Sequence, residues 1–184
     1  MKSNILQIVF AASTANLHSS NGKSAFFVPL TNIFQALAVR DIRNETRNFM
    51  TNSQNEISFF QQIRWFFKYY LPSKEQTIFL ILDPESYLPM GYLGLREKGK
   101  ELLITEAFKE SSRGKGFGSL CLDFLLTKYT PAKNKTIVAE ILEDNLPSQK
   151  LHQKFGFEAC PELTELRTLN NKPSKVLFYH LQCR

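Results

Sequence analysis

Residues 110–126 read ESSRGKGFGSLCLDFLL. Glycines at alternate positions, Gly114, Gly116 and Gly118, stand between the basic pair Arg113 and Lys115 and an apolar run. LLITEAFKE before them has the pattern of a strand, and an amphipathic helix is predicted from Gly116 to about Thr130, stopped by Pro131. Where a strand turns through glycines into a helix, the first-turn N–H groups lack partners and point at whatever sits there. The stretch therefore reads as an anion cradle; a loop merely loosened by glycine is the plain alternative. Spacing narrows the ligand. There is no GxxxxGK[ST] phosphate loop, the dinucleotide pattern GxGxxG lacks its third glycine after Gly116-Phe117-Gly118, and no kinase-type catalytic loop follows downstream. What remains is R-x-x-G-x-G.

Outward from this turn, QTIFLILD, MGYLGLRE and KELLITEAF read as an antiparallel meander, with EKGK as its second turn. KTIVAEIL is a further strand, reached in parallel through the helix that follows the glycines. DNLPSQKLHQKF is a short helix with Asn145 as cap and Pro147 in its first turn. ELTELRTL and SKVLFYHL, separated by NNKP, form a closing hairpin. Upstream, AFFVPL is a strand and TNIFQALAVRDIRNETRNFM a helix with a break near Asn44. ISFFQQIRWFFKYYL is a second helix, with Ser58 and Gln61 at capping-box spacing and Phe59, Ile63, Phe66 and Tyr70 on one face. The order defines an α/β (α+β) chain with a mixed, mostly antiparallel sheet of about seven strands and about four helices.

The 184 residues suffice for one core, so residues 1–184 are read as a single domain. Residues 1–24 are expected to supply an extra N-terminal strand and a mobile loop, STANLHSSNGKS at 13–24. MKSNILQIVFAASTA also has some features of a targeting segment, although Asn4 and Gln7 interrupt its apolar run. A net charge of +6 favours an anionic partner, but the Lys and Arg are spread along the chain, which argues against nucleic acid. Three cysteines, Cys121, Cys160 and Cys183, signal neither a disulfide framework nor a zinc site, and a reduced cytoplasmic setting follows. No stretch approaches the ~20 apolar residues of a membrane span, and the scattered His18, His152 and His180 suggest no metal.

Arg113, Gly116 and Gly118 match the Q/R-x-x-G-x-G/A signature of the GNAT superfamily of acyl-coenzyme A-dependent N-acetyltransferases, which RGKGFGSLCLDFLL resembles along its length. AEILEDNLPSQKLHQKFGF is similar to that family's second block, a strand, an Asn and a short helix ending in Gly-Phe. The resemblance implies a splayed strand pair and a turn whose Arg113, Gly114, Lys115, Gly116, Phe117, Gly118 and Ser119 cradle the pyrophosphate of acetyl-CoA. It also implies that Phe108 holds the pantetheine arm and that Asn145 and Ser148, a cap and a first-turn hydroxyl in their own right, touch the coenzyme. Acetyl transfer to an amine needs a base and an acid. Glu106 shares a strand face with Phe108 and is the candidate base, with Glu143 and Asp144 near the same cleft. The family's usual acid is a Tyr seven residues after the Asn; His152 stands there instead, as a substitute acid or as a helix histidine without a role.

For the acceptor, Arg40, Arg43 and Arg47 recur at helical spacing. Arg43 and Arg47 are the candidate substrate contacts, on the assumption that their face lines the cleft rather than solvent. RNETRNFM and EISFFQQIRWF resemble, over a short span, the superfamily branch acting on nucleotide-linked amino sugars. The branch that acetylates ribosomal-protein N-termini has the same helical layout, so the acceptor is a small amine or a protein amine. A coenzyme-binding module without catalysis is the alternative from another class.

Overall fold

The computed structural model describes residues 15–18, 24–129 and 135–182. In chain order these form β1 (Ala15–His18), β2 (Ser24–Pro29), α1 (Ile33–Glu45), α2 (Phe59–Trp65, continued by a wider π turn, Phe66–Tyr70), β3 (Gln76–Leu82), β4 (Pro89–Lys98) and β5 (Glu101–Phe108). Then follow α3 (Phe117–Phe124, continued by a π turn, Leu125–Tyr129), β6 (Thr136–Leu142), α4 (Leu146–Lys154), β7 (Glu158–Ala159), β8 (Glu165–Leu169) and β9 (Lys172–Gln182). One sheet runs β1-β2-β3-β4-β5-β6-β9-β7, with β8 also on β9. All pairs are antiparallel except β5–β6, where the sequence places its crossover helix.

Three of the helices, α1, α2 and α4, start at a side-chain cap, whereas α3 starts at Gly116 without one. In α1, Asn32 Oδ1 accepts from Gln35 N at 3.0 Å and the Gln35 amide oxygen accepts from Asn32 N at 3.2 Å. Ser58 and Gln61 repeat this box at α2, each box contributing on the order of 1 kcal/mol. The break expected near Asn44 falls one residue on: α1 ends at Glu45, a 3-10 turn follows at Arg47–Phe49, and the Asn44 side chain brackets Ile57, accepting from its N–H at 2.8 Å and donating to its C=O at 2.9 Å.

Two faces of the sheet are covered. α3 places Leu120, Cys121, Phe124 and Leu125 on Phe27, Phe79, Leu93, Leu102 and Ile137. Val39 and Ile42 of α1 cover Val28, Leu80, Tyr92 and Ala107 on the opposite face. The alternation of Tyr92 and Leu93 along β4 serves both layers. On α2 the buried line is Gln62, Phe66 and Tyr70, while Phe59, expected inside, is exposed. Contact with α1 turns the helix by one position, and Gln62 keeps its inward amide satisfied by donating to the Ala36 carbonyl at 2.9 Å.

Two boundaries differ from the sequence reading. Ala15–His18, within the stretch read as loop, pairs with Ser24–Phe27 of β2, so His18 lies on a strand. Residues 1–14 and the stop at Pro131 lie outside the described residues. The closing hairpin turns on Asn170 and Asn171, at φ +48° and +59°, and Pro173 belongs to β9 opposite Thr168. Two Asn in the left-handed region make the tight turn that the twist of paired strands favours.

The feature that positions the site is the end of the parallel ladder. β5 and β6 pair from Glu101↔Thr136 to Ile104↔Ala139 and then separate. β5 stays with β4 as far as Phe108, and β6 stays with β9 as far as Leu142, so the sheet opens into a wedge. Beyond Ile104, the β6-facing edge of β5 has no strand partner.

Candidate active site

The glycine turn sits at the mouth of this wedge. Gly114 and Gly116 adopt φ of +69° and +88°, and the space a Cβ would fill is open at both. That conformation favours glycine and lets a ligand reach the backbone. The Arg113 amide is already used, donating to the Glu110 carbonyl at 3.2 Å. The cradle therefore begins one residue later than expected: the N–H groups of Gly114 to Ser119 donate to no protein acceptor among the described residues. The first helical bond is from Leu120 N to Gly116 O, at 3.2 Å. Arg113 has a bracing part, its Nε donating to Phe108 O at 3.0 Å and its guanidinium lying 4.6 Å over the Phe49 ring. Lys115 is exposed and does not line the cavity that the turn borders.

That cavity holds about 580 Å³ and reaches from Gly114 and Gly116 past Phe117, Phe108 and Ser119 to Glu106, Asn145 and Ser148. Phe108 and Phe117 stack with centroids 6.3 Å apart, forming an apolar wall. Six free amides at a helix start, opening into a channel of this size, fit a pyrophosphate with an extended arm.

A second cavity of about 100 Å³ fills the wedge between β5 and β6 and shares Phe49, Glu106, Asn145 and Ser148 with the first. Glu106 lies behind Gly118, where an added Cβ would come within 2.7 Å of Leu151 Cδ2 and 3.6 Å of Glu106 Oε1. Its Oε2 is buried without a hydrogen-bond partner. Burial without a compensating cation pushes its pKa up to about 8, from 4.5. Glu106 is thus a carboxyl poised to exchange a proton near neutral pH.

Asn145 caps α4, its Oδ1 accepting from Ser148 N at 3.3 Å, and both residues face the two cavities. His152 is only 2% exposed and packs edge-on to Phe157. Its Nδ1 lies 2.8 Å from Ser148 O; a carbonyl only accepts, so Nδ1 carries the hydrogen and the buried, unpartnered Nε2 the lone pair. Burial lowers the His152 pKa, against a smaller opposite effect of that hydrogen bond. An acid must arrive protonated, and this imidazole is held neutral, which argues against the role expected for it.

The carboxylates at the end of β6 are also redistributed. Glu143 pairs with Lys175 at 2.6 Å, and with Asp144 it lines a different pocket beside Lys172 and Asn48. The residue that faces the wedge is Glu140, which sequence reasoning missed. It accepts from Arg167 Nη1 and from Thr51 Oγ1, at 3.2 Å for the latter, while Arg167 also donates to Asn52 Oδ1 at 3.1 Å. No spacing in the sequence marks it, because the residues of β6 that line the wedge run consecutively from Val138 to Ile141.

The three arginines separate. Arg40 Nε donates to Ile57 O at 2.7 Å, and Arg47 is exposed beside Glu56 at 3.8 Å. Arg43 alone lines a cavity, of about 350 Å³, which shares Met50, Thr51, Asn52, Leu103 and Thr105 with the wedge.

A mixed sheet opened beside a run of free amides sets an anion-binding helix start and a buried carboxyl along one cleft. A family model described as an acetyltransferase (GNAT) domain matches residues 30–158, and the chain belongs to that family of acetyl-CoA-dependent enzymes. Solved structures agree in fold. An N-acetyltransferase from Staphylococcus aureus Mu50 superposes with a TM-score of 0.69 at 22% identity, over 87% of this chain and 99% of that one. The spermidine/spermine N-acetyltransferase SpeG from Vibrio cholerae gives 0.69 at 18%, over 85% and 92%. The ribosomal L7/L12 alpha-N-protein acetyltransferase RimL, in complex with coenzyme A, gives 0.67 at 16%, over 86% and 93%. No curated protein sequence matches the chain.

Proposed function

We propose that the protein transfers an acetyl group from acetyl-CoA to a primary amine by direct attack in a ternary complex, with Glu106 as the base. The observation that carries this reading is the unpartnered Glu106 carboxyl on the shared wall of the donor cavity and the wedge. Acetyl-CoA supplies a thioester whose carbonyl carbon the amine attacks. The amides from Gly114 to Ser119 would hold its pyrophosphate, and the free edge of β5 beyond Ile104, with Phe108, would guide the arm into the wedge. The amine attacks in its neutral form, its nitrogen becomes cationic as the N–C bond forms, and Glu106, as carboxylate, takes one of the protons that nitrogen already carries. The carbon–sulfur bond then breaks, and the thiolate takes up a proton, for which protonated Glu106 lies on the donor wall. His152 holds the first turn of α4, and with it Asn145 and Ser148, in place.

The acceptor branches expected from the sequence are a nucleotide-linked amino sugar and a protein N-terminus or lysine. Among the structural neighbours, SpeG acts on spermidine and spermine and RimL on a ribosomal protein. A catalytically silent coenzyme binder is the second reading, supported by the neutral imidazole where the family places its acid. Thiol release from acetyl-CoA across a panel of amines separates the two. Amine-dependent release supports the enzyme, and saturable coenzyme binding without it supports the binder. One continuous sheet supports a single domain, and the free thiols of Cys121 and Cys160 fit a reducing, cytoplasmic setting. No described helix is long and apolar enough to cross a membrane.

A further inference from the structure

The cavity beyond the wedge has a charge pattern that the transfer reaction does not itself require. Arg43 reaches into it from α1, with Nη2 donating to Ser53 O and Nη1 buried without any partner. Arg96 reaches it from β4, where it pairs with Gln76 of β3. No Asp or Glu lines this cavity; the other residues with polar side-chain atoms are Thr51, Asn52, Trp65, Gln76, Thr105 and the buried Tyr92. In the adjoining wedge Arg167 pairs with Glu140, and Glu106 sits at the donor wall. A guanidinium with a buried, unmade hydrogen bond is costly in isolation, and a planar oxyanion satisfies it with paired N–H···O bonds.

We propose that this cavity seats an anionic group of the acceptor, a carboxylate or a phosphate, against Arg43, so that the substrate is a small anion-bearing amine. The inference rests on the acetyl-transfer reading and specifies its acceptor. The molecule would lie with its amine toward Glu106 and its anion toward Arg43 and Arg96, matching the two ends of the path by charge. A polyamine presents cations at both ends and would set one against Arg43, which disfavours it. A volume of about 350 Å³ suits a small metabolite rather than an enclosed nucleotide sugar.

The test is a calorimetric titration of the full chain saturated with coenzyme A, which permits binding without turnover. The probes are β-alanine and O-phosphoethanolamine, each against a partner whose end opposite the amine is neutral, β-alaninamide and ethanolamine, with spermidine as the polycationic control. Wild type is expected to favour at least one anionic probe over its neutral partner by about tenfold or more, and the two pairs tell carboxylate from phosphate. Arg43→Met should reduce that preference below about threefold, Arg43→Lys should keep part of it, and Arg47→Met should keep all of it. Because Arg43 also holds the Ser53 carbonyl, Arg96→Met, at an exposed position, is the second variant, and the preference should fall by about threefold. Equal or tighter binding of spermidine or the neutral partners, or a preference that survives both Arg43→Met and Arg96→Met, overturns the assignment. The same probes, run with acetyl-CoA, keep the two claims apart. Preference without transfer refutes the transferase reading and leaves the anion seat standing; transfer without preference refutes the seat alone.

Discussion

Glu106→Gln removes the titrating proton of the site while keeping its shape, and its consequences can be worked from the structure. The folded-state pKa of Glu106 is about 8, against 4.5 for the unperturbed group. Below 4.5 the folded and unfolded chains both hold this proton, so the residue contributes no pH dependence. Between 4.5 and 8 the unfolded chain releases a proton that the folded chain retains, so unfolding becomes progressively easier; above 8 the penalty is constant. The full displacement corresponds to about 5 kcal/mol as an upper bound, because each pKa unit is worth about 1.4 kcal/mol and water entering the wedge would reduce it. Gln carries no such penalty. Denaturant unfolding of wild type and Glu106→Gln at pH 5 and pH 9 should therefore show the variant gaining several kcal/mol relative to wild type at the higher pH. The same carboxyl must be ionised to accept the amine proton, so wild-type turnover should rise with pH through an inflection near 8. In Glu106→Gln turnover should fall on the order of 100-fold or more and lose that inflection. A stability difference that does not change with pH, or an inflection that persists in the variant, refutes the reasoning from burial to catalysis.

Other outcomes follow from single features. Gly116→Ala forces a Cβ into φ +88° and should cost about 1–2 kcal/mol in stability. It should also weaken coenzyme A binding by calorimetry; unchanged affinity would remove the pyrophosphate assignment. His152 should titrate below 6.5 and show its hydrogen on Nδ1 by nitrogen NMR, and a pKa above 7 would restore the acid role. Arg167→Met should lower stability by about 1–3 kcal/mol by leaving Glu140 partly buried without its cation, and Arg167→Met with Glu140→Gln should recover most of that loss. An unchanged unfolding midpoint in Arg167→Met would place that ion pair in solvent.

What the sequence made legible was local. Ser58 and Asn145 announce helix starts because a cap is a contact over three residues, and the glycine turn announces its amides for the same reason. The parallel step was legible because a helix between two strands leaves the chain little other choice. What escaped reading depends on distant partners. Arg40, Arg43 and Arg47 share a helical spacing, but the segment carrying Ser53, Glu56 and Ile57 crosses that face and gives each a different neighbour. The end of KTIVAEIL predicts Glu143 beside the cleft, but pairing of β6 with β9 to Leu142 carries Glu143 past the opening and leaves Glu140 in it. The neutrality of His152 follows from tertiary burial against Phe157, which no spacing within α4 reveals.

The central claim is acetyl transfer driven by Glu106, and the most direct measurement combines two products in one reaction. With acetyl-CoA and an amine accepted by the wild type, free thiol and acetylated amine should appear in equal amounts, both depending on amine concentration and both suppressed in Glu106→Gln. Thiol release without acetylated amine, or equal product yields at equal rates from wild type and Glu106→Gln, would contradict the account.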